Sequence, residues 1–70
     1  QLDVMQALSL AGGLTPFASK SKIKILRRDH TGTQTAILFD YSDVEDGEQL
    51  EKNILLRGGD VVVVPQAGLF

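Results

Sequence analysis

Few side chains in this 70-residue chain can do chemistry, and their spacing limits what that chemistry is. Asp29 and the only histidine, His30, stand side by side. A metal site needs several converging ligands and this pair offers at most two, so a solvated turn is the plainer account. No Ser, His and Asp occur in the order and glycine-elbow context of a nucleophilic triad. There is no cysteine, which excludes disulfides, thiolate metal sites and thiol catalysis. Neither Gly12-Gly13 nor Gly58-Gly59 is followed by a Gly-Lys-Ser/Thr run entering a helix, so neither is a phosphate loop; they read as a helix stop and a turn. The acidic residues Asp40, Asp43, Glu45, Asp46, Glu48 and Glu51 lack the regular spacing of a calcium loop and read as a solvated face. No catalytic set, cofactor site or metal site is expected.

What remains is recognition. Arg27 and Arg28 are adjacent, and guanidinium groups make bidentate bonds to carboxylates. The competing account, a solvated strand end pairing loosely with Asp29 or the acidic stretch, carries more weight, because surface ion pairs are weak signs of function. Tyr41, Phe17 and Phe39 offer aromatic faces for stacking, although an aromatic in so small a domain usually belongs to the core, and Phe39 is assigned there. Arg27, Arg28 and Tyr41 are therefore the candidate ligand contacts.

The elements that position them follow from periodicity. Residues 61–64 are four valines, preceded by Gly58-Gly59-Asp60 and followed by Pro65. β-Branched side chains suit a pleated surface and a continuous apolar run suits a strand covered on both faces, so this is read as the central strand. Glycine and Asp60 supply the turn before it, Asp60 by capping backbone N–H groups, and Pro65 ends it for want of an N–H.

Residues 3–13 predict a helix of about two turns. Asp3 is the N-cap, Gln6 completes a capping-box pair, and Gly12 or Gly13 takes the left-handed position at the C-terminal end. Val4, Leu8 and Ala11 share its inner face, flanked by Met5 and Ala7. So short a helix must be held by tertiary packing. Residues 17–21 form a polar connection, and from Lys22 to Arg27 or Arg28 the chain alternates with period two, Ile23 and Ile25 facing inward. Residues 29–33 make a turn and 35–39 return as the second strand of a hairpin. Ser42 and Glu45 suggest a capped helical turn within the acidic crossing.

Length allows one domain, spanning residues 1–70, with a thin core, since a chain of this size buries only about 60% of its unfolded surface. Seven basic and nine acidic residues give a net charge of −2, without the positive field of a nucleic-acid binder. No apolar run approaches the roughly 20 residues that span a bilayer. The chain opens on Gln1, directly before a helix pattern, and a segment cut from a longer precursor is expected. The architecture expected is α+β, one short helix packed on a mostly antiparallel sheet.

Three stretches together carry a resemblance: the helix and its end, Asp3-Val4-Met5-Gln6-Ala7-Leu8-Ser9-Leu10-Ala11-Gly12-Gly13-Leu14-Thr15; the strand Ile23-Lys24-Ile25-Leu26-Arg27-Arg28; and Asn53-Ile54-Leu55-Leu56-Arg57-Gly58-Gly59-Asp60-Val61-Val62-Val63-Val64-Pro65. The chain resembles the soluble ligand-binding β-grasp domain of bacterial polysaccharide export proteins over nearly its whole length. The ending, residues 64–70, also looks like the close of that family's soluble segment. The resemblance implies a β-grasp fold whose N-terminal hairpin is missing here, and a periplasmic place within an outer-membrane-associated exporter of capsular or extracellular polysaccharide. It further implies rings built by self-association, and an inner-membrane chain-length regulator and tyrosine kinase as partners. On that basis Arg27 and Arg28 would grip acidic sugars and Tyr41 would stack on them. Without the missing hairpin the valine strand is expected to keep one unpaired edge, open to another copy or leaving the chain marginally stable. The alternative is a similar β-grasp module in another system, such as a respiratory flavoprotein subunit.

Overall fold

A computed structural model describes residues 1–67; Gly68, Leu69 and Phe70, and with them the last part of the family-like ending, lie outside the described residues. The chain is a mixed α+β fold, compatible with a β-grasp-like arrangement. In order come helix α1 (Val4–Leu10), strands β1 (Ile23–Arg28) and β2 (Gln34–Phe39), helix α2 (Tyr41–Glu45) and strand β3 (Val61–Val63). Single 3₁₀ turns at Lys20–Lys22 and Leu50–Lys52 punctuate the connections.

The sheet is antiparallel throughout, with order β2-β1-β3. The valine run is therefore an edge strand, and the centre belongs to β1. The expected central placement fails for a local reason. Val61 and Val63 are 50% and 37% exposed, so the run is covered on one face only, and β-branching served the pleat rather than two-sided burial. In this order β3 has one side without a strand among the described residues.

Alternation decides the core. Ile23 and Ile25 are fully buried, and their partners across the β1–β2 register are Phe39 and Ile37. Val4 and Leu8 of α1 and Val44 of α2 complete the cluster, with Met5, Leu14, Tyr41, Ile54, Leu56, Val62 and Val64 packed around it. Ala11 is exposed, because the helix stops at Leu10 and the chain turns away from the core one residue earlier than its pattern suggests.

Helix α1 is pinned at its start, where four N–H groups lack intrahelical partners. Asp3 and Gln6 form the capping box, Gln6 N–H donating to Asp3 Oδ1 at 2.8 Å and Asp3 N–H to Gln6 Oε1 at 3.0 Å. The other two first-turn amides reach across the fold, Val4 to Ile54 O at 3.1 Å and Met5 to Asn53 Oδ1 at 3.0 Å. Leu56 N–H returns to Leu2 O at 2.7 Å, so residues 53–56 act as a clasp over the helix start. At the other end Gly12 and Gly13 take φ of 100° and 83°, and Gly13 N–H reaches back to Leu8 O.

Helix α2 is capped by Asp40, not Ser42: Asp40 Oδ1 accepts from Ser42 N–H at 2.9 Å. The shift of two residues arises because Phe39, paired with Ile23, ends β2 and leaves Asp40 extended, as an N-cap requires.

Candidate functional site

Arg27 shares the parity of Ile23 and Ile25, so its side chain leaves the strand on the buried face of the sheet. There it meets Asp60, in the turn before β3. Nε lies 3.1 and 3.2 Å from the two carboxylate oxygens and Nη2 lies 2.8 Å from Oδ2, a bidentate pair with side-chain exposures of 17% and 3%. Nη2 also donates to Leu55 O at 3.1 Å, and Arg57 N–H donates to Asp60 Oδ2 at 2.9 Å. Asp60 caps a backbone N–H as its place after Gly58-Gly59 predicts, and Gly59 supplies the positive φ of 88° that the turn needs. The Arg27 guanidinium, then the Arg57 amide, hold the Asp60 carboxyl below the usual carboxylate range, and the same pair raises the Arg27 pKa.

The ion partner of Arg27 is thus Asp60, not Asp29 or the acidic crossing. The guanidinium edge that would clasp a ligand's carboxylate is already clasping one of the chain's own. Parity was the signal available in the sequence: a charged residue in phase with buried isoleucines must find a partner.

Arg28 points to the opposite face, is exposed, and donates from Nη1 to Gly32 O at 3.1 Å, closing the hairpin turn. Inside that turn Asp29 Oδ1 accepts from the amides of Thr31 at 2.9 Å and Thr33 at 3.0 Å, and from the Thr31 hydroxyl. The Thr31 hydroxyl first, and the amides with it, lower the Asp29 pKa, and His30 sits exposed at the tip. Tyr41 is half-buried at the start of α2, with Lys20 Nζ 5.7 Å from its ring centroid and Lys20 in turn 3.5 Å from Glu45. Phe39, which pairs with Ile23, lies just before Tyr41, so Tyr41 stands at the far end of β1 from the arginines. That is about 13–16 Å of strand at roughly 3.3 Å per residue. Arg27, Arg28 and Tyr41 therefore form no single site. Phe39 is 2% exposed and belongs to the core; Phe17 is 57% exposed.

The valine run, expected at the centre of the sheet, is an edge strand, and parity says which side of β3 is free. Asp29 N–H donates to Thr33 O, and the hairpin register carries that parity inward, so odd residues of β1 bond to β2 and even ones face β3. Lys24 pairs with Val63 and Leu26 with Val61, so those two valines direct their main-chain groups at β1. Beyond them the same parity holds: Pro65 O accepts from Ser19 N–H at 2.8 Å and Ala67 N–H donates to Phe17 O. Val62 and Val64 accordingly direct N–H and C=O away from β1. Among the described residues no strand lies on that side. Only a long 3.4 Å contact from Gln66 Nε2 reaches the Val64 carbonyl.

The outward sheet face beside this edge is apolar but for Lys24. Across the register it reads Leu38, Lys24, Val63 in one row and Ala36, Leu26, Val61 in the next, with Leu38 66% exposed. A separate open groove of about 430 Å³ runs along the outer side of α1, lined by Leu2, Met5, Gln6, Leu10 and Asn53. Comparison of the chain with known protein families, with curated proteins and with solved structures returns no match.

Proposed function

We infer that the chain is a non-enzymatic module of a bacterial polysaccharide export protein, acting in the periplasm as part of an outer-membrane-associated assembly. The observation that carries this reading is the edge of β3 left without a strand among the described residues, joined to the resemblance in residues 3–15, 23–28 and 53–65. An edge strand offers a row of main-chain donors and acceptors that another strand completes, so the module works by assembly rather than by turnover. Polysaccharide contacts are weak and distributed, falling to Arg28 and Tyr41 more than to Arg27, whose guanidinium is held by Asp60. The inner-membrane chain-length regulator and tyrosine kinase are the partners this role requires.

Deletion of the segment from the protein that carries it, in a capsule-forming or exopolysaccharide-forming cell, tests the role. Extracellular polysaccharide is expected to fall severely and to return on complementation. Unchanged polysaccharide, or a respiratory defect in its place, overturns it.

A further inference from the structure

We propose that the outer edge of β2 receives an extended, basic segment of a partner protein, which joins the sheet as a further antiparallel strand and lays a lysine or arginine side chain into the acidic groove beside Ile37. The inference goes beyond the export reading and does not rest on it.

The hairpin register fixes what this edge offers. Thr35, Ile37 and Phe39 bond to Arg27, Ile25 and Ile23 of β1, so Gln34, Ala36 and Leu38 direct N–H and C=O away from the sheet. Among the described residues no strand lies on that side. β2 is the opposite edge from β3, so a strand laid beside β3 leaves it open. Residues 34–39 carry no charge and no proline, and their ladder with β1 runs without a bulge, so the usual guards of an exposed edge are missing.

Beside this row lies an open groove of about 480 Å³, where Ile37, Leu38 and Ile54 meet the carboxylates of Asp40, Asp43 and Glu51. One ammonium shares it, that of Lys52, held by Asp43 at 3.1 Å. Asp40 gives one oxygen to the Ser42 amide, and Glu51 has no ion-pair partner among the described residues. Three carboxylates against one ammonium leave the groove negative, between apolar walls.

The groove and the main-chain row are in register. Ile37 turns its main chain to β1, so a strand added outside β2 meets it as a non-hydrogen-bonded pair, side chains on one face and Cβ atoms about 4.5–5.5 Å apart. The incoming residue opposite Ile37 therefore points into the groove. A lysine or arginine there lays its methylene stem on Ile37 and Ile54 and carries its charge to Asp40 and Glu51. Its two neighbours, opposite Ala36 and Leu38, exchange main-chain hydrogen bonds and turn their side chains to the outer face, where Leu38 is 66% exposed. A second copy fits poorly, because its β2 carries no cation and would bring another acidic groove to this one.

The probe is a blocked peptide, acetyl-Lys-Val-Lys-Val-Lys-Val-amide, titrated into the isotope-labelled chain and followed by NMR. Saturable shifts are expected at Ala36, Ile37 and Leu38, with amide exchange slowed at Ala36 and Leu38. The same peptide with glutamate for lysine, and the lysine peptide methylated on its valine nitrogens, should each bind about tenfold more weakly, the first for its charge and the second for its lost donors. Glu51→Lys, at an exposed position, should weaken the lysine peptide about tenfold with circular dichroism unchanged. No saturable shift at millimolar peptide, equal binding of the lysine and glutamate peptides, or slowed exchange at Val62 and Val64 in place of Ala36 and Leu38 overturns the proposal. The polysaccharide test does not depend on this contact, so either reading can fail with the other standing.

Discussion

The two faces of the sheet use the same residue types to opposite ends. On the inner face Ile23, Ile25 and Phe39 are at most 2% exposed, closed over by α1, α2 and the clasp at residues 53–56. On the outer face Leu38, Val61 and Val63 range from 37% to 66% exposed, with Lys24 among them. Strand periodicity produces both, since a period of two assigns residues to faces without saying which face is covered. What distinguishes them is the second layer. Helix α1 sits where its first-turn amides can reach residues 53 and 54, and that choice makes one face core and leaves the other bare.

Truncation should separate the faces most sharply. Ile25→Ala removes a fully buried side chain from the middle of the central strand and is expected to cost about 2–5 kcal/mol. Total stability for small domains runs near 0.05–0.15 kcal/mol per residue, so much of the population should unfold. Leu38→Ala, on the adjacent strand but facing out, should stay within about 0.5 kcal/mol of the parent. Urea denaturation of the two variants decides it, and similar losses would mean that the outer face is covered in solution.

A smaller effect is expected at the ion pair, the one place among the described residues where charge enters the inner face. Asp60→Asn breaks the bidentate contact and should lower the melting temperature by several degrees at neutral pH. The folded-state pKa of Asp60 lies below its unfolded value, so its contribution is fully present above about pH 4 and fades as pH falls through the lower folded value. Asp29, also lowered, adds to the same acid limb. Melting temperature followed from pH 7 to pH 2 should therefore fall less steeply in Asp60→Asn than in the parent. Parallel curves would show that the pair has no part in acid stability.

The smallest of the three lies where the covering layer is fastened. Asp3→Ala loses one half of the capping box and should cost about 1 kcal/mol, with Gln6→Ala costing less, since the Asp3 amide it accepts from is exposed to water. Amide exchange in α1 is the measurement, and faster exchange confined to residues 4–7 is the expected pattern.

Most of the inner face was legible in the sequence. The phase of Ile23 and Ile25, the Asp3–Gln6 box, the glycine stop and the hairpin are local signals, each contained within a few residues. The centre of the sheet was not, because four valines announce a strand but not its neighbours; only long-range pairing says that β1 has two partners and β3 one. The partner of Arg27 lies 33 residues away, beyond any local pattern. The cap of α2 was missed by two residues because Asp40 and Ser42 are both competent caps, and the end of β2 chose between them. Arg27 and Arg28, read together as ligand contacts, part to opposite faces because adjacent strand residues alternate.

The clasp that seats α1 also orders the steps of folding. The β1–β2 hairpin closes across only a five-residue turn and can form early, in microseconds for such units. Met5 to Asn53 and Thr15 to Gln66 are contacts across 48 and 51 positions, and each must meet a large loop-closure entropy before it returns anything. The helix start and the valine strand are thereby expected to arrive late. On that order a newly made chain is expected to wait with the hairpin built and its apolar inner side uncovered.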